Sequence, residues 1–243
     1  RRLLWPLKTI VFVYIDDLLI RGDTKVDLMK NLRELFDLLR KVNIKLRLQK
    51  CVFFCTEVKY IGRWFSGTTI RADDSYVQIV RNIRKPKSMA ELATWRGCCS
   101  WLRTFIPNLA DEMVPFESLN KCKTEGDYTK NWMKLHDVAF EKVRELLVKT
   151  YILNIPVQGN GLIIQTDASD YAYGAVACQR DVKTKILKPI EFLSRKFTDS
   201  QRKWSTVLKE LFAVISALEK WRSLVLSEKT VVQCDHRNLS IYI

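Results

Sequence analysis

Two sets of acidic residues have the types and spacing that could do chemistry in this sequence. The first is Asp16-Asp17, which stands between the apolar runs Val11–Ile15 and Leu18–Ile20. Burying an unpaired carboxylate costs several kcal/mol, so such a pair is rare inside an apolar segment. A tight turn would hold both carboxylates at its tip, where a divalent cation offsets their repulsion. A solvated turn is the alternative, since Asp favours turns through local hydrogen bonds.

The second set consists of Asp167, Glu210 and Asp235, which the sequence places on separate elements. Asp167 and Asp235 end predicted strands, and Glu210 lies in a predicted long helix. Open α/β sheets bind ligands at the carboxyl ends of their strands. Three converging carboxylates repel one another unless cations intervene, so the set favours two divalent metals about 4 Å apart that activate water for phosphodiester hydrolysis. Each acid taken singly is more often a turn or helix-face residue.

The elements that must position Asp16 and Asp17 are a hairpin, a helix and further strands. Apolar periodicity and turn residues predict, in chain order, strands Lys8–Tyr14 and Leu18–Arg21, a helix from Thr24 to about Lys45, and strands Cys51–Phe54, Glu57–Phe65 and Thr69–Arg71. Together these make half of an antiparallel sheet backed by a helix.

The middle of the sequence is predicted to be helical. Ser88 and Glu91 form a capping-box pattern that starts a helix running to about Phe105, and a shorter helix follows over Asn108–Leu119. The polar stretch Lys121–Thr129 is predicted to be a loop. The last helix of this region, Asn131–Lys149, is amphipathic, and its apolar side is predicted to carry Trp132, Leu135, Val138, Ala139, Val143 and Leu146.

The last third of the sequence reads as an α/β module that begins after a composition break at Pro156–Gly161. Its predicted elements are strands Leu162–Thr166, Tyr173–Gln179 and Leu187–Ser194, a helix over about Arg202–Trp221, and a strand Thr230–Cys234. In this order Asp167 and Asp235 each follow a strand directly.

Charge and cysteine content narrow the class of partner. The net charge is +14, and residues 1–100 hold 20 basic against 10 acidic side chains. A basic surplus in one half favours a polyanion, with nucleic acid ahead of an anionic membrane because no apolar run reaches the length of a membrane span. The N-terminus does not read as a signal peptide, so the seven cysteines favour a reducing compartment.

Short motifs along the chain resemble those of one family. Tyr14-Ile15-Asp16-Asp17 resembles the Tyr-x-Asp-Asp box in the palm of reverse transcriptases. Further matches, which extend from about Thr9 to Leu239, are similar to the polymerase and RNase H regions of gypsy-type LTR retrotransposons. The RNase H motifs are Thr-Asp-Ala-Ser around Asp167, Lys-Glu-Leu around Glu210 and Cys-Asp-His around Asp235.

The resemblance implies a multi-domain fold of α+β and α/β parts. Residues 1–75 would form the C-terminal part of the palm and residues 76–120 a helical thumb. Residues 121–157 would form a connection, and residues 158–243 an RNase H-like domain truncated at its C-terminus. The fingers, with a third palm aspartate, would lie upstream, and an integrase downstream. A fourth RNase H acid would fall beyond Ile243.

The resemblance also implies site residues. Asp16, Asp17, Asp167, Glu210 and Asp235 would be the catalytic metal ligands. The segment Val58–Arg63 resembles the hairpin that grips the primer strand, for which a plain hairpin is the alternative. Nucleic acid would contact Tyr14, Tyr60, Ile61, Gly62, Arg63, Trp64, Arg96 and Arg103. The basic residues Arg81, Arg84, Lys85 and Lys87, with Arg96 and Arg103, either follow a duplex backbone or make a solvated helix face.

The activities implied are RNA-directed DNA synthesis and cleavage of the RNA strand of an RNA–DNA hybrid. The cofactor would be Mg²⁺, with Mn²⁺ as a substitute, and the partners would be a template–primer, the hybrid and the rest of a Pol polyprotein. The expected location is intracellular, in a cytoplasmic virus-like particle or the nucleus. We expect no polymerase activity and weak or no RNase H activity from this chain alone. The alternative is a decayed or co-opted remnant that only binds nucleic acid.

Overall fold

The computed structural model describes Leu4, Leu7 and residues 9–235, apart from the side chain of Arg81. Lys8, the first residue of the first predicted strand, lies outside the described residues. So do His236, which ends the Cys-Asp-His motif, and Leu239, where the resemblance ends. The chain divides into two units, Arg1–Gly67 and Thr68–Ile243.

The first unit carries Asp16 and Asp17 on a hairpin packed against one helix. Strands β1 (Val11–Tyr14) and β2 (Asp17–Ile20) pair antiparallel, and helix α1 covers Lys25–Lys41. A buried cluster joins the hairpin to the helix, and its members are Leu4, Leu7, Val11, Leu35 and Leu39. The helix ends before the predicted Lys45 because Asn43 adopts a left-handed φ of 55°, which Asn tolerates better than most residues.

A second hairpin replaces the single long strand predicted over Glu57–Phe65. Strands β3 (Glu57–Tyr60) and β4 (Arg63–Ser66) are joined by Ile61 and Gly62, whose φ angles of 49° and 65° are both positive. Positive φ at both central residues is the backbone of a type I′ turn, whose twist matches that of the strands. The continuous-strand prediction was therefore wrong, whereas the hairpin that both interpretations of Val58–Arg63 require is present.

The strand predicted over Cys51–Phe54 is absent from the described structure. Residues Leu48–Lys50 form a 3₁₀ turn, and Phe54 has a left-handed φ of 55°. The side chains of Val52, Phe53 and Phe54 are exposed. An apolar, β-prone composition therefore did not produce a strand, because no neighbouring strand pairs with this segment.

Gly22, which follows β2, is expected to be intolerant of a side chain. A Cβ atom there would overlap the backbone of Leu28, whereas a Cβ at Gly67 of the same unit would meet nothing within 4 Å. We therefore expect Gly22→Ala to lower the free energy of unfolding by about 1–3 kcal/mol through overpacking. Chemical denaturation of Gly22→Ala beside Gly67→Ala measures this, and equal effects of the two substitutions would contradict the close approach to Leu28.

The second unit begins with a helical part. Its elements are β5 (Thr69–Ala72), α2 (Asp74–Arg81), α3 (Met89–Leu102), a 3₁₀ turn at Arg103–Phe105, α4 (Leu109–Glu112), a 3₁₀ helix at Val114–Lys121, α5 (Glu125–Asn131), α6 (Lys134–Val148) and β6 (Leu153–Asn154). Its buried core centres on Trp95, whose ring lies 4.9 Å from Phe116 and 5.1 Å from Phe140 between centroids.

Three helical predictions need correction. Helix α2 was not predicted, although Asp73 caps it by accepting a hydrogen bond from the Ser75 N–H. Helix α5 occupies part of the predicted loop Lys121–Thr129, because Tyr128 is buried and its hydroxyl donates to the Pro86 carbonyl at 2.9 Å. The α3 capping box is half formed: Ser88 accepts from the Glu91 N–H, but the Glu91 carboxylate accepts from the N–H of Lys87.

The buried face of α6 also differs from the prediction. Leu135 and Val138, which were predicted to face inward, are 47% and 52% exposed. The residues of α6 that are buried are His136, Ala139, Phe140, Val143 and Leu147. The helix begins at Lys134 because the Met133 N–H donates to His136 Nδ1 at 2.9 Å, and this start turns His136 inward.

The remainder of the second unit is the predicted α/β module. Strands β7 (Leu162–Ala168), β8 (Ala172–Arg180), β9 (Leu187–Lys196) and β10 (Thr230–Cys234) form a sheet in the order β10-β7-β8-β9, in which only β10 and β7 are parallel. Helix α7 (Thr206–Lys220) packs on the sheet through Ala213 and Ala217 against Leu162 and Ile164, and α8 covers Arg222–Ser227. The helix was predicted to begin at about Arg202, but Gln201–Lys203 form a 3₁₀ turn and the helix begins at Thr206.

Across the described residues, no helix combines the length and the apolar character that crossing a membrane requires.

Candidate nucleic-acid and hydrolytic sites

The hairpin of the first unit presents Asp16 and Asp17 at its end. Tyr14 pairs with Asp17, so Ile15 and Asp16 form the two-residue turn and Asp17 opens β2. Both carboxylates are exposed, and Ile15 is 82% exposed with a φ of 53°. A β-branched residue in the left-handed region is strained by roughly 1–3 kcal/mol, and such strain is concentrated at functional sites. The hairpin thus offers two adjacent carboxylates on a strained turn.

The second hairpin is tied to the first within the same unit. The Tyr60 hydroxyl donates to the Phe12 carbonyl at 3.2 Å, and Tyr60 also contacts the ring of Phe65. Gly62 serves the turn through its positive φ, which supplies a local reason for glycine there. The other predicted nucleic-acid contacts of this unit are Tyr14 and Ile61, which are exposed, and Arg63 and Trp64, which are half-buried on β4.

The basic residues before and within α3 divide into two groups. Arg103 is exposed at the end of α3, and Arg84 and Lys87 are exposed ahead of it. Arg96, in contrast, donates to the Asn120 side chain, and Lys85 pairs with Asp137 and lies over the Trp132 ring. Arg84, Lys87 and Arg103 therefore present accessible cations, whereas Arg96 and Lys85, which is also exposed, contact neighbouring side chains of the helical part.

The sheet of the second unit brings two of the three predicted acids to one edge. Strands β7 and β10 are parallel, and Thr166 pairs with Cys234, so the next residues, Asp167 and Asp235, follow at the same end of the sheet. Both are exposed. Glu210 lies in α7, which packs on these strands, and is only 5% exposed.

Divalent metal ions suit these residues in donor type, since carboxylate oxygens are the ligands that Mg²⁺ prefers. Among the described residues, however, no group of three His, Cys, Asp or Glu side chains is close enough to hold a metal. Asp16 and Asp17 are therefore an adjacent pair of carboxylates that no third such side chain joins among the described residues. The buried Glu210 is not gathered with Asp167 and Asp235 into a three-ligand site.

Sequence reasoning missed an ion pair beside these acids. Lys209, the neighbour of Glu210, is buried, and its ammonium group donates to the Asp170 carboxylate at 2.8 Å. The pair joins α7 to the turn after β7, which carries Asp167. Lys209 opens the Lys-Glu-Leu motif and Asp170 directly follows the Thr-Asp-Ala-Ser motif, but their separation of 39 positions gave no signal that they meet.

A second charged cluster attaches the 3₁₀ helix Val114–Lys121 to the sheet. The Glu117 carboxylate accepts hydrogen bonds from Lys196, at the end of β9, and from Arg202. Partial burial raises the pKa of Glu117, but the hydrogen bonds and charges of Lys196 and Arg202 outweigh it and hold that pKa below its ordinary value.

Because the folded-state pKa of Glu117 is lowered, its contribution to stability is full above the ordinary glutamate pKa of about 4.3 and is lost as the pH falls through the lowered value. We expect Glu117→Gln to lower the free energy of unfolding by about 1 kcal/mol at neutral pH, and by progressively less below about pH 4. Urea denaturation at several pH values tests this. Glu112→Gln, whose partner Lys142 is 3.8 Å away, is the control, and a pH-independent difference for Glu117→Gln would contradict the ion pairs.

Two family models match the chain. Residues 2–65 match the reverse transcriptase (RNA-dependent DNA polymerase) family, and this matched segment includes Asp16 and Asp17. Residues 132–232 match the RNase H-like domain found in reverse transcriptase. This matched segment includes Asp167 and Glu210 and ends shortly before Asp235. The two matches thus define a segment of the reverse transcriptase class followed by an RNase H-like domain.

Similar curated proteins are Pol polyproteins of transposons. The chain is 30% identical over 228 residues to the retrovirus-related Pol polyprotein from transposon 297 of Drosophila melanogaster, covering 93% of this chain and 21% of that protein. It is 31% identical over 229 residues to the one from transposon 412, covering 94% and 18%. The chain belongs to the reverse transcriptase/RNase H region of LTR-retrotransposon Pol polyproteins. It spans about a fifth of the length of these relatives.

Solved structures share the fold. The foamy viral protease-reverse transcriptase in complex with an RNA/DNA hybrid superimposes with a TM-score of 0.78 at 23% identity, covering 97% of this chain and 32% of that chain. The same viral protein in complex with double-stranded DNA gives a TM-score of 0.76 at 22% identity, covering 97% and 49%. The predicted multi-domain α+β and α/β fold is confirmed.

Proposed function

We propose that this chain is the part of a gypsy-type Pol polyprotein that takes part in RNA-directed DNA synthesis and cleaves the RNA strand of an RNA–DNA hybrid. The observation that carries the proposal is the alignment of Asp167 and Asp235 at one edge of the RNase H-like sheet. Two carboxylates at the ends of adjacent parallel strands stand where open α/β sheets bind their ligands. The proposed partners are the hybrid, a template–primer and the remainder of the polyprotein, inside the cell.

The proposed cofactor is Mg²⁺, with Mn²⁺ as a substitute. Asp16 and Asp17 would hold it in the polymerase site. Asp167 and Asp235 would hold it in the hydrolytic site, with Glu210 joining them when the metal binds, since the described structure does not gather the three acids. When bound, the metal would activate the attacking oxygen and stabilise the leaving one. The donor chemistry of both acid sets supports this assignment, and exposure of Asp167 and Asp235 leaves their oxygens accessible.

The chain's own residues would bind and orient the nucleic acid. Arg84, Lys87 and Arg103 are exposed cations that would contact phosphates without reading sequence. Tyr14, Ile61 and Gly62 lie at the ends of two hairpins, where a primer strand would approach. The second hairpin would be supported from within the unit by the half-buried Arg63 and Trp64. Tyr60 would support it as well, through the hydrogen bond from its hydroxyl to the Phe12 carbonyl. Arg96 is proposed to support the thumb through Asn120.

The test is a coupled assay on a longer Pol protein that contains this region. A labelled RNA template annealed to a primer is supplied with nucleotides and Mg²⁺, and both DNA extension and release of RNA fragments are followed. The proposal requires both products, and omission of the metal must remove both. Binding of the template–primer without either product would instead support a remnant that only binds nucleic acid.

A further inference from the structure

Asp111 lies against the turn that follows Asp167, although no motif singled it out. Its carboxylate accepts a hydrogen bond from the Ser169 hydroxyl at 2.5 Å. Ser169 comes two residues after Asp167 and directly after β7. Its hydroxyl also accepts from the backbone N–H groups of Tyr171 and Ala172 at 3.2 and 2.9 Å. The Ser169 hydroxyl therefore joins Asp111 to the backbone of the β7–β8 turn.

The direction of these hydrogen bonds fixes the role of Asp111. A serine hydroxyl has one proton and two lone pairs, and the N–H groups of Tyr171 and Ala172 supply its two donors. Its proton has two acceptors within reach, the Asp111 carboxylate at 2.5 Å and the Ala172 carbonyl at 3.1 Å. The short distance and the charge favour the carboxylate. Asp111 thereby orients the hydroxyl so that its lone pairs face the turn.

Helix α4, which carries Asp111, is itself anchored on the sheet. The Ala110 N–H donates to Ser194 Oγ at 2.8 Å in a buried position. Asn108, just before α4, lies so near β8 that a Cβ atom on Gly174 would stand 3.2 Å from its Oδ1. Gly174 is the residue that pairs with Asp167. The residues directly before Asp111 thus contact β8 and β9 of the sheet.

The residues before α4 and Asp167 line one cavity. It has a volume of about 220 Å³, and its lining includes Pro107, Asn108 and Asp167. Asp167 therefore borders an open space on β7, two residues before the turn that Ser169 holds. Movement of the turn would shift the Asp167 backbone relative to this space.

We propose that Asp111 is a positioning residue for Asp167, acting through Ser169, in the hybrid cleavage proposed above, on which this inference rests. The contact spans 58 positions of sequence and links the end of the thumb-like part to the hydrolytic strand. Its loss would loosen the β7–β8 turn and lower the rate of cleavage without weakening the binding of the hybrid.

The experiment compares Asp111→Ala with Glu112→Ala, a neighbouring acid that is 3.8 Å from Lys142. Hydrogen exchange of the Tyr171 and Ala172 amides is measured by NMR in this chain, and kcat and KM for hybrid cleavage are measured in a longer Pol protein. We expect Asp111→Ala to speed exchange and to lower kcat, each about tenfold, with KM unchanged, since a hydrogen bond to a charged group is lost. Glu112→Ala should change neither.

Two further variants keep the inference falsifiable. Asp111→Asn retains an acceptor and should restore most of kcat, while Ser169→Ala combined with Asp111→Ala should be no worse than Ser169→Ala alone. Unchanged amide exchange in Asp111→Ala would overturn the contact. Faster exchange with an unchanged kcat would overturn the positioning role. If the unsubstituted protein cleaves no hybrid, the proposed function fails and the positioning role with it, while exchange still decides the Asp111–Ser169 contact.

Discussion

Asp167→Asn, in a longer Pol protein that contains this region, is expected to lower the rate of RNA-strand cleavage by a factor of about a hundred to a thousand. The amide keeps the shape of the side chain but removes the negative charge that a divalent cation requires, and this cation is worth several kcal/mol to the transition state. Asp167 is exposed, so the substitution should leave folding intact. Single-turnover cleavage of a labelled hybrid measures the effect.

A reciprocal substitution separates the two sites. Asp16→Asn should stop primer extension and leave hybrid cleavage unchanged, since Asp16 and Asp167 lie in different units of the chain. Asp199→Asn is the matched control, because the Asp199 side chain is 97% exposed and lies 3.6 Å from Arg202. Loss of primer extension in Asp167→Asn, or equal cleavage by Asp167→Asn and Asp199→Asn, would contradict the assignment of Asp167 to the hydrolytic site.

His136→Ala is expected to lower the free energy of unfolding by about 3 kcal/mol or more. The ring is fully buried, accepts from the Met133 N–H at Nδ1, and lies 3.1 Å from the Pro115 carbonyl through Nε2. Since Nδ1 accepts, the proton is on Nε2, which donates to that carbonyl. Alanine would leave a cavity and remove the hydrogen bonds to the Met133 N–H and the Pro115 carbonyl, and each of these costs stability.

The neighbouring residue provides the control for His136→Ala. Leu135 is 47% exposed, so Leu135→Ala should cost less than about 1 kcal/mol, although the apolar pattern of the sequence placed Leu135 on the buried side. Urea denaturation followed by tryptophan fluorescence compares the two. A larger loss for Leu135→Ala than for His136→Ala would show that the buried face of α6 is the one that the sequence pattern predicts.

The strands that carry the hydrolytic acids could be predicted from sequence. Each has a dense apolar run with β-branched residues, bounded by turn residues, and β7 and β10 were placed within two residues of their observed ends. The turn at Asp16 could also be predicted from sequence, because two charged residues between apolar runs leave few alternatives to a hairpin. Local composition specifies such elements strongly.

Elements that depend on distant contacts were less predictable. Residues Cys51–Phe54 have strand-like composition but no strand partner in the described structure. The buried face of α6 is set by packing against other elements of the core rather than by its apolar pattern alone. Hydrophobic periodicity is ambiguous when both faces of a helix carry apolar side chains. In α6, Leu135 and Val138 compete with Phe140 and Leu147, and tertiary packing decides between them.

In the candidate sites, too, the residues in local motifs could be predicted from sequence, whereas contacts between distant residues could not. Motif residues such as Asp167 and Asp235 were identified in sequence, and the parallel pairing of β7 with β10 explains why they share an edge. The residues that attach the helical part to the sheet were not identified. Asp111 meets Ser169 across 58 positions and Glu117 meets Lys196 across 79, and neither pair has a local signature.

The most direct test of the hydrolytic assignment is the substrate preference of a longer Pol protein in Mg²⁺. Equal amounts of one labelled RNA are presented as an RNA–DNA hybrid, as a single strand and as an RNA duplex, and cleavage rates are compared for the unsubstituted protein and Asp235→Asn. We expect rapid cleavage of the hybrid alone, and its loss in Asp235→Asn. Cleavage of all three forms, or hybrid cleavage that survives Asp235→Asn, would contradict a hydrolytic site at the shared edge of β7 and β10.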